Sequence, residues 1–144
     1  MPDPSSEHPN EERDGEGEER YVERSFSCTG CGYATTHSVG RLQAEVRATC
    51  HHCADWTVQT AGVDALIDTA RDLADRLSGE VLTERQALAY LIREVVGVGR
   101  QETAAAMDTT ASNVDNLHRR GREKVADARR VVEELLTLRA ETEN

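Results

Sequence analysis

The sequence predicts a mainly α chain with a small β zinc ribbon, a three-helix helix-turn-helix unit, a linking helix and an extended C-terminal helix. Three observations carry that expectation. Two Cys-x-x-Cys pairs sit among short β-branched segments, apolar residues recur at helical spacing from Val63 onward, and residues 82–125 read helix, short helix, turn, longer helix. The expected boundaries are an acidic tail over 1–19, the ribbon over 20–60, the linking helix over 61–80, and the helix-turn-helix with its extension over 81–140.

Composition sets the frame. The chain has 144 residues and a formal net charge of -10, with one Trp and one Phe. A core so poor in aromatics gains from a metal or a partner chain. No apolar run is long enough to span a membrane. The opening "MPDPSSEHPNEERDGEGEER" has no hydrophobic stretch of the secretory kind, so a cytoplasmic location is the expectation. Residues 1–24 carry a net charge of -6, whereas 99–130 carry +2. Lys124 is the lone lysine among 17 basic residues. Abundant Asp and Glu with scarce Lys resemble the proteins of a salt-loving archaeon, where an acidic surface sustains solubility. An acidic total then says little against DNA binding.

Along the chain, residues 1–19, rich in Glu, Pro and Gly, read as a disordered tail. "RYVERSFSC", "YATTHSV", "QAEVRATC" and "DWTVQT" read as short strands. Cys28, Cys31, Cys50 and Cys53 form two Cys-x-x-Cys pairs separated by eighteen residues. Two short loops delivering two thiolates each suit one tetrahedral Zn²⁺ per chain. Four thiolates leave no open coordination position, so the ion is structural. Disulfides or a redox pair are the alternatives, and an intracellular chain without a βαβ context disfavours both. His51 and His52 read as loop residues, and His37 has no assigned role.

Val63, Leu66, Ile67, Ala70, Leu73, Ala74 and Leu77 trace one helix, with Asp64, Asp68, Asp72 and Asp75 on its wet face. Thr83 with Gln86 forms a capping box that starts the next helix, whose buried stripe is Leu88, Leu91, Ile92 and Val95. Gly97 and Gly99 break it. "RQETAAAM" is a short helix, and "DTT" is a turn in which Asp108 tolerates a left-handed backbone and Thr110 caps the last helix. That helix runs from Ala111 towards Leu138, weakened at Gly121 by about 1 kcal/mol.

In that pattern Ala104, Ala105 and Met107 meet Val114 and Leu117 where two helices cross. Ala111, Ser112, Asn113, Asp115, Asn116 and Arg119 lie on or near the other side. A third helix of this kind enters the major groove, where Asn and Arg suit bidentate base contacts. Arg120, Arg122 and Lys124, one to two turns on, would then pass phosphates.

The stretch "LTERQALAYLIREVVGVGRQETAAAMDTTASNVDNLHRRGREKV" resembles region four of bacterial sigma factors and archaeal sigma-four-like regulators. The resemblance rests on "LTERQ", on the glycine-flanked turn before "RQETAAAM", and on "RRGREKV". It implies promoter DNA as ligand, with Ser112, Asn113, Asn116, Arg119 and Arg120 as contacts. It further implies Arg100 and Gln101 as phosphate contacts. Asp108, Thr109, the order Leu117–His118 and Gly121 depart from the family pattern.

The expected function is therefore non-enzymatic transcription regulation on double-stranded DNA, with RNA polymerase or a general transcription factor as further partner. No nucleophile–base pair, phosphate loop or open metal site appears. One rival is an adaptor that docks on the transcription machinery without reading DNA. Another is an RNA-binding zinc protein, which exposed aromatics would favour. Tyr33, Phe26 and Trp56 are the candidates, the last two expected in the core. Ala128, Val131, Leu135 and Leu138 continue the heptad spacing of Val114 and Gly121, widened by Val132 and Leu136. This stripe over 128–138 is expected to pack on helix 63–77 or on a second copy.

Overall fold

The computed structural model describes residues 20–143, so the tail expected over 1–19 lies outside the described residues. The chain divides into two units at Thr69/Ala70.

The first unit is a four-stranded antiparallel sheet of order β2-β1-β4-β3, followed by the first turns of helix α1. Its strands are β1 (Tyr21–Cys28), β2 (Ala34–Gly40), β3 (Glu45–Thr49) and β4 (Trp56–Ala61). Two hairpins, β1–β2 and β3–β4, join along β1 and β4 from Phe26↔Ala61 to Cys28↔Gln59. Strand alternation sends Phe26 and Cys28 of β1, Val39 of β2 and Gln59 of β4 inward, all buried. The buried Gln59 amide is satisfied by His37, whose Nε2 lies 2.7 Å from Oε1. His37 also stands edge-on to Phe26, with ring centroids 5.5 Å apart. The histidine without a role in the sequence thus closes the polar inventory of this core. Helix α1 (Val63–Leu77) begins here with Leu66 and Ile67 buried, and the Arg24 guanidinium donates to Thr69 Oγ1.

The second unit holds the end of α1, then α2 (Glu84–Tyr90), a π-helical segment (Leu91–Val96), α3 (Arg100–Ala106) and the long α4 (Ala111–Thr142). Thr83 caps α2 with the reciprocal Gln86 capping box, and Thr110 Oγ1 accepts from the Asn113 amide at the start of α4. Asp108 takes φ 53° in the turn between α3 and α4. Gly97, at φ 89°, ends the π segment by donating to the Ile92 carbonyl. Leu88, Leu91, Ile92, Val98, Ala104, Met107 and Val114 form the core.

The expected fold class is corrected. Among the described residues 55% are helical, but a four-stranded half-barrel sheet holds 21%, a sizeable sheet domain and not a small ribbon on a mainly α chain. The sheet is larger because the β-branched segments between the cysteine pairs alternate inward and outward and pair along their full length. The three-helix helix-turn-helix unit does not stand either. Its first helix is α-helical for seven residues only and then widens into a π turn. A π turn adds a residue to the local repeat and rotates every later side chain about the helix axis. Val95, expected in the stripe, is consequently 50% exposed, and Val98 takes the core position.

Candidate metal centre and basic helix face

The β1–β2 and β3–β4 turns are built alike. Cys28 ends β1, and its N–H donates to the Tyr33 carbonyl while Gly32 N–H donates to the Cys28 carbonyl. Cys50 comes directly after β3, and its N–H donates to the Asp55 carbonyl while Ala54 N–H donates to the Cys50 carbonyl. Each turn needs a left-handed residue at the same place, Gly32 at φ 79° and Ala54 at φ 61°. Because β1 and β4 are neighbours, both turns lie at one end of the sheet. The four Sγ atoms fall within 4.8 Å of one another.

The spacing is that of ligands, not of bonds. Cys31 and Cys50 Sγ are 3.6 Å apart, and Cys28 and Cys53 Sγ are 4.0 Å apart. A disulfide needs about 2.05 Å. A tetrahedral ion with thiolates at about 2.3 Å sets sulfurs about 3.8 Å apart. The donor set therefore fits one soft, four-coordinate cation and is compatible with a zinc site.

The electrostatics divide the four thiols into pairs. The Thr57 hydroxyl, 3.3 Å away, together with the Cys31 and Gly30 amides, holds Cys28 down at about 6. The Cys53 amide leads the groups that lower Cys50. At Cys31 the Tyr33 amide pulls downward, but burial and the three neighbouring thiols push it up to about 12. Cys53 is raised as well, the Asp55 amide being outweighed by the Cys50 thiol and burial. His51 and His52 are not part of the sulfur cluster. The His52 ring instead stacks on Tyr33, with centroids 5.5 Å apart, and so ties one turn to the other.

The paired turns make a direct comparison possible. A left-handed backbone costs a side-chain-bearing residue roughly 1–2 kcal/mol. No atom crowds a Cβ built at Gly32. Gly32→Ala should therefore destabilise the sheet unit by about 1 kcal/mol through conformation alone. Ala54→Gly should stabilise it by a few tenths up to about 1 kcal/mol, the gain being trimmed by glycine's freedom in the unfolded chain. Denaturant titrations with metal present measure both. Equal responses at the two positions would contradict the shared turn geometry.

The basic stretch lies on α4. Val114 and Gly121 are its buried positions, turned towards the preceding helices. A Cβ at Gly121 would stand 3.2 Å from the Gln86 carbonyl oxygen and 3.5 Å from Tyr90 Cβ. Gly121 thus marks the close approach of α4 to α2, where nothing much larger than a methyl group fits. Ser112, Asn116, Arg119 and Arg120 are exposed, and the Arg119 guanidinium donates to Asn116 Oδ1, at 3.2 Å. Gln101 is exposed on α3. Asn113 is half-buried and donates to Thr109 Oγ1.

The other candidate contacts are engaged. Arg100 forms a two-pronged pair with Asp115, at 2.6 and 3.3 Å. Asp115 thus neutralises a neighbour. Glu94, from the π segment, accepts from Arg122 Nε at 3.0 Å and lies 3.1 Å from His118 Nε2. Lys124 Nζ donates to Gln86 Oε1 at 2.7 Å and is half-buried.

One expectation about apolar residues fails and another is narrowed. Phe26 is buried, but Trp56 is 71% exposed, because it stands on the outward register of β4 beside the metal turn. The stripe over 128–138 does not pack on helix 63–77, which leaves its other expected partner, a second copy. Val131, Val132, Leu135, Leu136 and Leu138 are 51–60% exposed, and no described part of the chain covers them. Compared with known proteins, the chain matches no family model, no curated protein and no solved structure.

Proposed function

We propose that the chain is a non-enzymatic DNA-binding transcription regulator whose sheet unit is held by one structural zinc ion on Cys28, Cys31, Cys50 and Cys53. Zinc is the first-row ion that four thiolates in a closed tetrahedron suit best. The observation that carries the DNA reading is the outward face of the first turns of α4. There Ser112, Asn116, Arg119 and Arg120 are exposed together, on a helix whose opposite face is fixed by Val114 and Gly121. Asn116 and Arg119 have the donor and acceptor geometry for base edges, and Arg120 suits a phosphate. The likeness of residues 82–125 to sigma region four supports the same ligand. In this reading Lys124 serves α2 through Gln86, and Arg100 contributes by holding Asp115 away from phosphates.

The test is a salt titration of duplex binding by single variants. Arg120→Ala should weaken binding to every sequence alike and reduce the slope of log affinity against log salt by about one per contact. Asn116→Ala should cost about 1–3 kcal/mol on a selected site and leave the slope nearly unchanged. Folded variants that bind like the wild type would exclude this face as the contact.

A second reading, that the sheet unit docks a protein partner, is favoured by the exposed Trp56, which opens β4 directly after the second cysteine turn. Arg24 bonds within its own unit, and the rest of the sheet and its turns carries only scattered arginines, with no cluster of the kind found on α4. Trp56 is the sole tryptophan. Its emission should be solvent-like in the folded protein and should shift on addition of RNA polymerase. An unshifted spectrum at saturating partner would remove this reading.

A further inference from the structure

The open stripe of α4 has a charge pattern that selects its occupant. Placing Val114 and Gly121, the buried positions, at a of a heptad puts Ala128, Leu135 and Thr142 at a, and Val131 and Leu138 at d. One helix face thus changes partner along its length. Up to Gly121 it is covered by the chain's own helices, and from Ala128 to Glu143 every residue is exposed.

The flanking positions decide orientation. Position g is acidic throughout, being Asp127, Glu134 and Glu141, while e is Val132 and then Arg139. In an antiparallel pair g faces g, so acid would meet acid at every layer. In a parallel pair g faces the e position five residues on in the partner, which sets Glu134 against Arg139 on both sides of the seam. Among the described residues of one chain Arg139 pairs with Glu143, at 3.5 Å, with both side chains largely exposed, a pair weak enough to be exchanged.

We infer that residues 128–142 of α4 form a parallel two-stranded coiled coil with a second copy of this chain, held in register by reciprocal Glu134–Arg139 pairs. The seam is shorter than the three to four heptads of a robust coiled coil, so association is reversible and concentration-dependent. This inference is independent of the DNA reading.

The experiment is sedimentation velocity of the full, metal-loaded chain across a wide concentration series. The wild type should pass from monomer to dimer. Leu135→Asp should stay monomeric with unchanged helicity, since Leu135 supports nothing in the monomer. Glu134→Arg and Arg139→Glu should each raise the dimer dissociation constant by about tenfold, because two attractions become two repulsions. The double variant E134R/R139E should return to within about twofold of wild type. Thr142→Cys should give a disulfide-linked dimer on mild oxidation, with equally treated wild type controlling for the four native cysteines. A monomer at all concentrations overturns the inference. So does a dimer in which the double variant is no better than the singles, or in which Thr142→Cys fails to cross-link.

Discussion

Replacing any one of Cys28, Cys31, Cys50 or Cys53 with Ser should release the metal and abolish protection of the sheet while leaving α2 to α4 folded. The sheet unit has a thin apolar core, with Phe26 and Val39 its buried large side chains among the strands. Structural zinc sites contribute on the order of 10 kcal/mol of folding free energy, more than such a core can replace. The cysteines also anchor both turns by backbone bonds, so losing the ion frees the end of the sheet where β1 and β4 meet. A chelator should act in the same way.

The pH dependence has a definite sign. Metal binding requires four thiolates, so protons compete and affinity falls as pH falls. Near neutral pH, Cys28, held at about 6, is largely ionised already, and the proton cost comes from Cys31, pushed up to about 12, and from the raised Cys53. Below about pH 6 Cys28 takes up its proton too, and loss of metal steepens. Metal analysis by mass spectrometry, paired with hydrogen exchange of β1, β3 and β4, reads these outcomes. A Ser variant that keeps a full complement of metal and unchanged exchange would refute the four-thiolate site.

The second large effect is expected at Gly121. Gly121→Leu drives a branched side chain into the Gln86 carbonyl, a backbone atom in a capped helix that cannot yield cheaply. Overpacking of this kind costs about 1–3 kcal/mol and occasionally more. It should also displace Lys124 from Gln86 Oε1. Gly121→Ala should stay within about 1 kcal/mol of wild type, since the gain in helix propensity opposes a contact only a few tenths of an ångström too close. Urea unfolding monitored by helical circular dichroism separates the two variants. Equal stabilities for Leu and wild type would mean that α4 does not cross α2 at this point.

These residues mark what can be read from sequence. The cysteine spacing, the Thr83–Gln86 capping box, the Thr110 cap and the left-handed Asp108 are local, because each depends on groups within a few residues, and each is found in place. Gly121 reads as a weak point in a helix and is a close-approach site. Its heptad spacing from Val114 is the available signal, but the partner carbonyl lies 35 positions earlier in the chain. The π turn at Leu91 shifts the apolar repeat without altering residue types, so Val95 and Val98 exchange places invisibly. Trp56 misleads because a large aromatic on a strand implies a core, whereas strand register decides which face it takes. The engagement of Lys124 with Gln86 and of Arg122 with Glu94 depends on how helices cross, so a basic cluster that looks uniform in sequence splits into free and occupied charges.

DNA binding by the exposed face at the start of α4 is tested most directly by titrating metal-loaded wild-type protein against random-sequence duplex while salt is raised. Binding should be measurable at low salt, with log affinity falling linearly with log salt at a slope of about -1 per chain for the phosphate contact by Arg120. Absence of binding at the lowest salt at which the protein is folded, or an affinity indifferent to salt, would contradict it.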